Sequence, residues 1–242
     1  MPYETGETDL VTTNTQIPTL SGDANIPAYV ARPEGAPRGA IIVHQEVFGV
    51  NKGIRKKADD WAAKGYLAVA PDAFWRQEPG IELDPDKQEE FQQAIAFMQS
   101  HDFDQGIRDM EAVIHWIRRE EGVQKVGFVG FCMGGRVAYA IATRTDIDAS
   151  VGYYGVMIDQ MLNEKNAISN PLMLHIPTAD GFVDAKAQKA MHEGLGDHPK
   201  VTLYDYEGLD HGFASEFGSR RDDAGANKAD ERTTEFFAKH VG

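Results

Sequence analysis

Cysteine is almost absent from this sequence, because Cys132 is the only one in 242 residues. A single cysteine excludes an internal disulfide, and it excludes zinc and iron–sulfur sites that need several cysteine ligands. A chain without disulfides is typical of a reducing compartment, so we expect the protein to be cytoplasmic.

Basic residues are also scarce, with 24 Lys and Arg against 38 Asp and Glu and a formal net charge of −14. Such a surface repels nucleic-acid phosphates and anionic lipid headgroups, so neither nucleic acid nor a membrane is expected as a partner. The chain has no run of about 18 apolar residues and begins without the basic and apolar segments of an export signal. The acidic excess fits salt adaptation and simple solubility equally well.

Motifs for common bound groups are missing as well. The sequence contains neither the Gly-x-Gly-x-x-Gly of dinucleotide sites nor the Gly-Lys-Ser/Thr of phosphate-binding loops. It also lacks His-Glu-x-x-His, a common zinc motif. We therefore predict no cofactor and no metal, and expect a small molecule as the partner.

Short apolar runs alternate with helical patterns from Ile26 to near the end of the chain. This alternation predicts an α/β fold with a mostly parallel, doubly wound sheet and helices on both of its faces. Because no linker, charge block or repeat interrupts it, residues 1–242 are expected to form a single domain. Residues 1–16, which are polar and lack a clear period, are predicted to be an N-terminal extension or edge segment.

The individual elements follow from the period of the apolar residues. Predicted strands cover residues 39–45, 67–70, 125–130, 149–154, 171–176 and 201–206. Predicted helices cover residues about 52–64, 86–100, 104–120, 134–144, 184–195 and 226–239.

A strand, a turn and an alanine-rich helix meet at Gly-Phe-Cys-Met-Gly, residues 130–134. This is the nucleophile-elbow pattern of α/β-hydrolases, with cysteine in place of serine. Gly130 and Gly134 allow strand and helix to approach closely, which predicts a strained and exposed Cys132. The helix N-terminus favours a thiolate, and the Met133 N–H can face a developing oxyanion. An isolated cysteine is often only a small buried residue, but this context favours a nucleophile.

A cysteine nucleophile needs a base, and His211 is the best-placed candidate. It follows the last predicted strand in a turn-like loop, and histidine comes last in the chain order expected for this fold. Histidines that lie within predicted strands or helices are expected to be structural, namely His44, His115, His175 and His192.

The base in turn needs an acid to orient it, and Asp180 is the preferred candidate. It follows the strand predicted at residues 171–176, at the sheet edge where α/β sites are assembled. Asp184 is its rival but fits better as the cap of the next helix. Asp205 and Asp210 are further alternatives.

Glu46 is a second carboxylate that follows a predicted strand. It is either a solvated loop charge or a tuned group near Cys132, with the Val47 N–H completing an oxyanion hole. Spacing alone leaves both interpretations open.

The segments around these residues resemble the dienelactone hydrolase family, over nearly the whole chain from about residue 20 onward. The resemblance is carried, in the family's order, by Gln-Glu-Val-Phe-Gly-Val-Asn (45–51), Ala-Pro-Asp (70–72), Arg-Gln-Glu-Pro-Gly (76–80), Gly-Phe-Cys-Met-Gly-Gly (130–135), Val-Gly-Tyr-Tyr-Gly (151–155), Asp-Gly-Phe-Val (180–183) and Asp-His-Gly-Phe-Ala (210–214).

This resemblance implies roles for the residues already singled out. Cys132 would attack the carbonyl of a lactone, with His211 as the base and Asp180 orienting it. Glu46 would hold the resting thiol and help to form the thiolate when substrate arrives.

The resemblance also implies how the substrate is held. The backbone N–H groups of Val47 and Met133 would stabilise the tetrahedral oxyanion, and Arg76 would help to bind a substrate carboxylate. Where the family prototype has a serine and an arginine that contact this carboxylate, the present chain has Gly212 and Ser215.

The anionic clamp is therefore weakened in this sequence. Arg220 and Arg221 lie nearby and either replace it or form a solvated basic pair; both interpretations stay open.

The leading functional hypothesis is hydrolysis of a dienelactone or related unsaturated lactone or enol ester through a cysteine thioester. A thiolate is a good leaving group, so it suits substrates that release a stabilised enolate better than it suits amides. The alternatives are a broader carboxylesterase that acts on small activated esters and a non-catalytic binding or redox protein that carries a reactive thiol.

Overall fold

A computed structural model describes residues 10–242, and within them the backbone forms one sheet of eight strands. The strands are β1 (Val11–Pro18), β2 (Asn25–Arg32), β3 (Ala40–His44), β4 (Leu67–Pro71), β5 (Val126–Phe131), β6 (Ala149–Tyr153), β7 (Leu172–Pro177) and β8 (Val201–Tyr206). The helices are α1 (Lys52–Ala63), α2 (Gln88–Ser100), α3 (Phe103–Arg119), α4 (Met133–Arg144), α5 (Ala185–Leu195) and α6 (Asp223–His240), and a 3-10 helix spans Ile158–Ala167.

The strands lie in the order β1-β2-β4-β3-β5-β6-β7-β8. Strands β3 to β8 pair in parallel, whereas β1 pairs antiparallel with β2 and β2 pairs antiparallel with β4. The carboxyl ends of six strands therefore meet along one edge of the sheet, where α/β folds place their ligand sites. The predicted mostly parallel sheet is confirmed.

Helices cover both faces of the sheet, as predicted. On one face, Trp61 of α1 and Phe237 of α6 belong to one buried apolar cluster. On the other face, Ile114, Tyr139 and Leu195 of α3, α4 and α5 belong to a second. Because both faces are covered, the central strands β3 and β5 are buried along their whole length, which explains their continuous apolar sequence.

Helix α2 instead packs against the loops at the carboxyl edge of the sheet. Its buried Ala94 belongs to a third apolar cluster, together with Phe48, Phe74 and Met133. Since Met133 opens α4 directly after the elbow, this cluster fixes α2 above the nucleophile turn.

The predicted strands and helices are all present, with ends that differ by three residues at most. The largest difference is at α6, which begins at Asp223 because the Asp222 carboxylate accepts the Gly225 N–H at 2.7 Å and caps the helix. Strand β2 and the 3-10 helix are additions that the apolar pattern did not predict.

The segment predicted as an extension or edge lies partly in β1. Residues 11–16 form most of this edge strand and are largely exposed, whereas Ile17 is fully buried. Residues 1–9 lie outside the described residues. No helix in the described part of the chain has the length and apolar character needed to cross a membrane.

Candidate active site

Cys132 lies in the sharp turn between β5 and α4, with φ of 56° and ψ of −112°. A side chain at positive φ is strained, so the surrounding structure must hold it there. The Cys132 N–H donates to the Tyr153 carbonyl at 3.0 Å, and the Cys132 carbonyl accepts from the Gly135 N–H at 3.0 Å. The side chain is half-buried and lines a cavity at the carboxyl edge of the sheet. The predicted strained elbow is therefore present.

Glycines make this turn possible because two backbones nearly touch. A Cβ at Gly130 would lie 2.0 Å from the Gly134 carbonyl oxygen, and a Cβ at Gly134 would lie 2.7 Å from the Gln45 carbonyl oxygen. Both distances are well inside van der Waals contact with atoms of the main chain, which cannot move aside. The two glycines of the predicted motif are therefore sterically required.

His211 and Asp180 form a buried pair beside this turn. The His211 Nδ1 donates to both carboxylate oxygens of Asp180, at 3.1 and 3.0 Å. Asp180 Oδ1 also accepts the backbone N–H groups of Phe182 and Val183, at 2.8 and 3.1 Å. With Nδ1 engaged, Nε2 is the nitrogen available to the thiol and to a reacting group.

A second carboxylate ties the loops of this pair together. Asp210 Oδ1 accepts the Gly181 N–H at 2.8 Å and the His211 N–H at 2.6 Å, so it joins the loop after β7 to the loop after β8. Asp210 therefore holds the backbones of both partners, whereas Asp180 contacts the imidazole.

The other candidate acids have different partners. Asp184 caps α5 by accepting the Ala187 N–H at 2.8 Å, as predicted. Asp205 lies 3.0 Å from His192 in an exposed pair. Neither aspartate is hydrogen-bonded to His211.

The electrostatic environment of His211 favours its protonated form. Burial of the ring opposes protonation, but the charge of the Cys132 thiolate and the hydrogen bond to Asp180 outweigh it and raise the pKa of His211 to about 10. The arrangement thus places a protonated imidazole beside the sulfur, as the reactive form of a cysteine nucleophile requires.

Glu46 lines the same cavity and is held by two hydroxyl groups. Its Oε1 accepts from Ser215 Oγ at 2.7 Å and from the Tyr154 OH at 3.2 Å. Burial and the charge of Glu46 raise the pKa of Tyr154 well above its usual value, so this phenol stays a donor. Within residues 10–242 no hydrogen bond joins Glu46 to Cys132, so the resting-thiol contact implied by the resemblance is not formed in this conformation.

The two backbone groups predicted for an oxyanion hole come from the loop after β3 and from the start of α4. Val47 lines the cavity, and Met133 follows Cys132 as the first residue of α4. Neither N–H donates a hydrogen bond to any described residue, so both are available for a substrate oxygen.

The cavity has a volume of about 240 Å³ and is open to solvent. Glu46, Val47, Cys132 and His211 line it together. The structure thus brings the thiol, the imidazole and the second carboxylate to one place, with Asp180 directly behind the imidazole.

Arg76 does not reach this cavity. Its guanidinium forms a two-point ion pair with Asp109 of α3, through Nε at 3.1 Å and Nη2 at 2.8 Å, and lies over the Trp75 ring. Because both hydrogen bonds are spent on a carboxylate of the chain itself, Arg76 is not placed to bind a substrate carboxylate in this structure.

Tyr154 is a site residue that the sequence analysis did not single out. It has φ of 38°, and its ring packs edge-on against His211 at 4.9 Å between centres. The signal was present, because Tyr154 ends the segment predicted as a strand and belongs to the Val-Gly-Tyr-Tyr-Gly run. What the pattern does not reveal is its contact with Glu46, which lies 108 residues earlier in the chain.

His44 and His175 are buried in β3 and β7, consistent with structural roles. Burial lowers the pKa of His44 to about 4 and that of His175 to about 3, so both are neutral at ordinary pH. Within residues 10–242 no three His, Cys, Asp or Glu side chains are grouped as a metal ion would require.

The strand order and the elbow are those of an α/β-hydrolase, which is the class of enzyme that this fold defines. The chain belongs to the dienelactone hydrolase family, whose model matches residues 26–241. It is therefore a hydrolase that acts on ester bonds.

Individual relatives support this assignment over most of the chain. A protein of Azospirillum brasilense assigned as a carboxymethylenebutenolidase is 38% identical, with 91% of this chain and 96% of the relative covered. The carboxymethylenebutenolidase of Pseudomonas putida is 36% identical, with 87% and 90% covered. A crystal structure from Klebsiella pneumoniae, assigned as a dienelactone hydrolase, superposes with a TM-score of 0.83 at 25% identity and covers 96% of this chain and 99% of that one.

Replacing Gly130 by Ala tests the steric requirement of the elbow. The new methyl group would lie 2.0 Å from the Gly134 carbonyl oxygen, so we expect the free energy of unfolding to fall by about 3 kcal/mol. As a matched control, Gly194→Ala in α5 meets only the flexible Leu162 side chain, at 3.1 Å, and improves helix propensity. Urea denaturation compares the two variants, and equal stabilities would contradict the steric argument.

A titration of His211 tests its coupling to the thiolate. We expect the wild-type imidazole to stay protonated up to a pH of about 10, because its pKa lies there. In Cys132→Ala the negative charge is gone, so the pKa of His211 should fall. Imidazole NMR signals followed against pH measure both values, with exposed His192 as the internal reference. An unchanged His211 titration in the variant would show that the thiolate does not set it.

Proposed function

We propose that this protein hydrolyses a dienelactone or related unsaturated lactone or enol ester through a thioester on Cys132. The observation that carries the proposal is geometric: Cys132 and His211 line one cavity, and the His211 Nδ1 donates to both carboxylate oxygens of Asp180, at 3.1 and 3.0 Å. A thiolate paired with a protonated imidazole is ready to act as a nucleophile, because its proton has already moved to the ring.

In the first step the Cys132 thiolate attacks the lactone carbonyl. The carbonyl oxygen becomes negative and accepts hydrogen bonds from the free N–H groups of Val47 and Met133. As the tetrahedral intermediate collapses, the ring C–O bond breaks, and His211 gives its proton to the departing enol oxygen. The product of this step is an acyl thioester on Cys132.

In the second step water replaces the sulfur. Neutral His211 removes a proton from water, and the resulting hydroxide attacks the thioester carbonyl at the same oxyanion site. The C–S bond breaks, the carboxylic acid product leaves, and the thiolate–imidazolium pair is restored. Asp180 keeps the imidazole in the required orientation in both steps.

The choice of sulfur favours substrates with a good leaving group. A thiolate leaves a tetrahedral intermediate easily, so the intermediate returns to substrate unless the departing oxygen is itself stabilised. An enolate meets this condition, and an amide nitrogen does not. The relatives called carboxymethylenebutenolidases, enzymes named for unsaturated lactones, support the same substrate class.

Substitution of the nucleophile and the base tests the mechanism. With a methylene butenolide as substrate, we expect Cys132→Ala and His211→Ala to lose activity and Cys132→Ser to fall by about 10³-fold or more, because a serine oxygen is much harder to deprotonate. The matched control is His192→Ala, which removes a histidine from the other His–Asp pair, outside the cavity. It should retain full activity.

Mass spectrometry of the quenched wild-type reaction should show the acyl adduct on Cys132. Turnover by Cys132→Ala would exclude the thioester route. A stable adduct without product release would instead support a non-catalytic thiol protein.

A further inference from the structure

The cavity beside Cys132 has walls that are almost entirely apolar. Helix α2 contributes Phe91, Ile95 and Met98, and the loops contribute Phe48 and Phe182. Phe182 is 51% exposed, so the apolar wall continues outward to the mouth of the cavity.

Three of these rings form a continuous aromatic wall that ends at the imidazole. The ring centres of Phe48 and Phe91 are 5.9 Å apart, those of Phe91 and Phe182 are 6.4 Å apart, and those of Phe182 and His211 are 4.8 Å apart. A group attached to the reacting carbonyl would therefore contact aromatic faces, which stabilise it by apolar burial.

Charged groups along the cavity do not favour an anion. Apart from His211, Arg220 is the only basic residue among residues 10–242 that lines it, whereas Glu46 and Asp86 line it with negative charge. The Arg220 guanidinium lies over the Phe182 ring at 5.4 Å, and its Nη1 is 3.8 Å from the Asp210 carboxylate, which offsets its charge.

Arg221, the next residue in the chain, is bound elsewhere. Arg221 pairs with Glu216 and Asp223, at 2.7 and 2.8 Å. Arg221 therefore does not replace the missing clamp for a substrate carboxylate.

Ser215 does not compensate for the missing cations. Its hydroxyl proton is donated to Glu46 at 2.7 Å, and a substrate carboxylate placed there would lie against the charge of Glu46. Gly212 offers no side chain at all. Neither position therefore offers a substrate carboxylate a free donor or a cation.

We propose that this site selects a neutral, apolar acyl group and discriminates against one that carries a carboxylate, with Phe91 and Phe182 as specificity-determining residues. This inference rests on the function proposed above, because it concerns the substrate of the same thiol. The preferred substrates are neutral enol lactones and activated esters with hydrocarbon acyl chains.

Two pairs of matched substrates test the charge preference directly. The first pair is p-nitrophenyl hexanoate and mono-p-nitrophenyl adipate, which differ only in a terminal methyl or carboxylate. The second pair is a methylene butenolide and its carboxymethylene analogue. We expect kcat/KM of the wild-type enzyme to be higher for the neutral member by about tenfold or more, because Glu46 and Asp86 repel a carboxylate while Arg220 is paired with Asp210. Raising the salt concentration should narrow this ratio, since salt screens the repulsion.

A cation placed on the aromatic wall should weaken the preference for the neutral substrate. In Phe91→Arg we expect the neutral-to-carboxylated ratio to fall by about tenfold or more, whereas Phe91→Leu, the matched apolar control, should keep the wild-type ratio. Circular dichroism verifies that both variants fold. If Phe91→Arg does not fold, the ratio measured for the wild-type enzyme still tests the inference. Arg220→Gln removes the charge of the arginine that lines the cavity and should change the neutral-to-carboxylated ratio by less than about twofold.

The outcomes separate the two proposals. A wild-type preference for the carboxylated members, lost in Arg220→Gln, would overturn the neutral-substrate inference and leave the thioester mechanism intact. Equal hydrolysis of both members by Cys132→Ala would instead overturn the proposed function. Both proposals are supported if the wild-type enzyme prefers the neutral members, Phe91→Arg weakens this preference, and Cys132→Ala hydrolyses neither member.

Discussion

The site depends on the near-contact of two backbones, where the end of β5 meets the start of α4. Gly130 and Gly134 have no side chains to separate them, and this closeness forces Cys132 into its strained conformation. The same turn aims the sulfur at the cavity and leaves the Met133 N–H without a partner among residues 10–242. Hydrogen bonds to the Cys132 backbone balance part of the strain, so the nucleophile is held rigidly before substrate arrives.

The residues that the sequence placed correctly share one physical rule. Carboxyl ends of parallel strands meet at the same sheet edge, so Cys132, Asp180 and His211, each shortly after a predicted strand, are expected to converge there. The rule needs only local apolar patterns, which β5, β7 and β8 carry clearly. Helix α2 also follows from its pattern, but its position above this edge depends on packing that no local pattern encodes.

Side-chain pairing could not be predicted in the same way. Arg76 was expected at the substrate, yet Asp109, 33 residues later, accepts hydrogen bonds from its Nε and Nη2. Glu46 lines the cavity with Cys132, but its hydrogen-bond donor Ser215 lies 169 residues away in the chain. Such pairs form between surfaces that only the complete fold brings together, and a single sequence contains no record of them.

Helix α2 and its flanking loop supply one wall of the cavity without contributing any atom to the Cys132, His211 and Asp180 constellation. This wall of the pocket is thus encoded in a different stretch of the gene from the reactive groups, whereas Phe182 shares the loop of Asp180. Substitutions confined to residues 85–98 can therefore change which substrates enter the pocket, while Cys132, His211 and Asp180 keep their geometry. Directed evolution of new ester specificities in this scaffold should begin there.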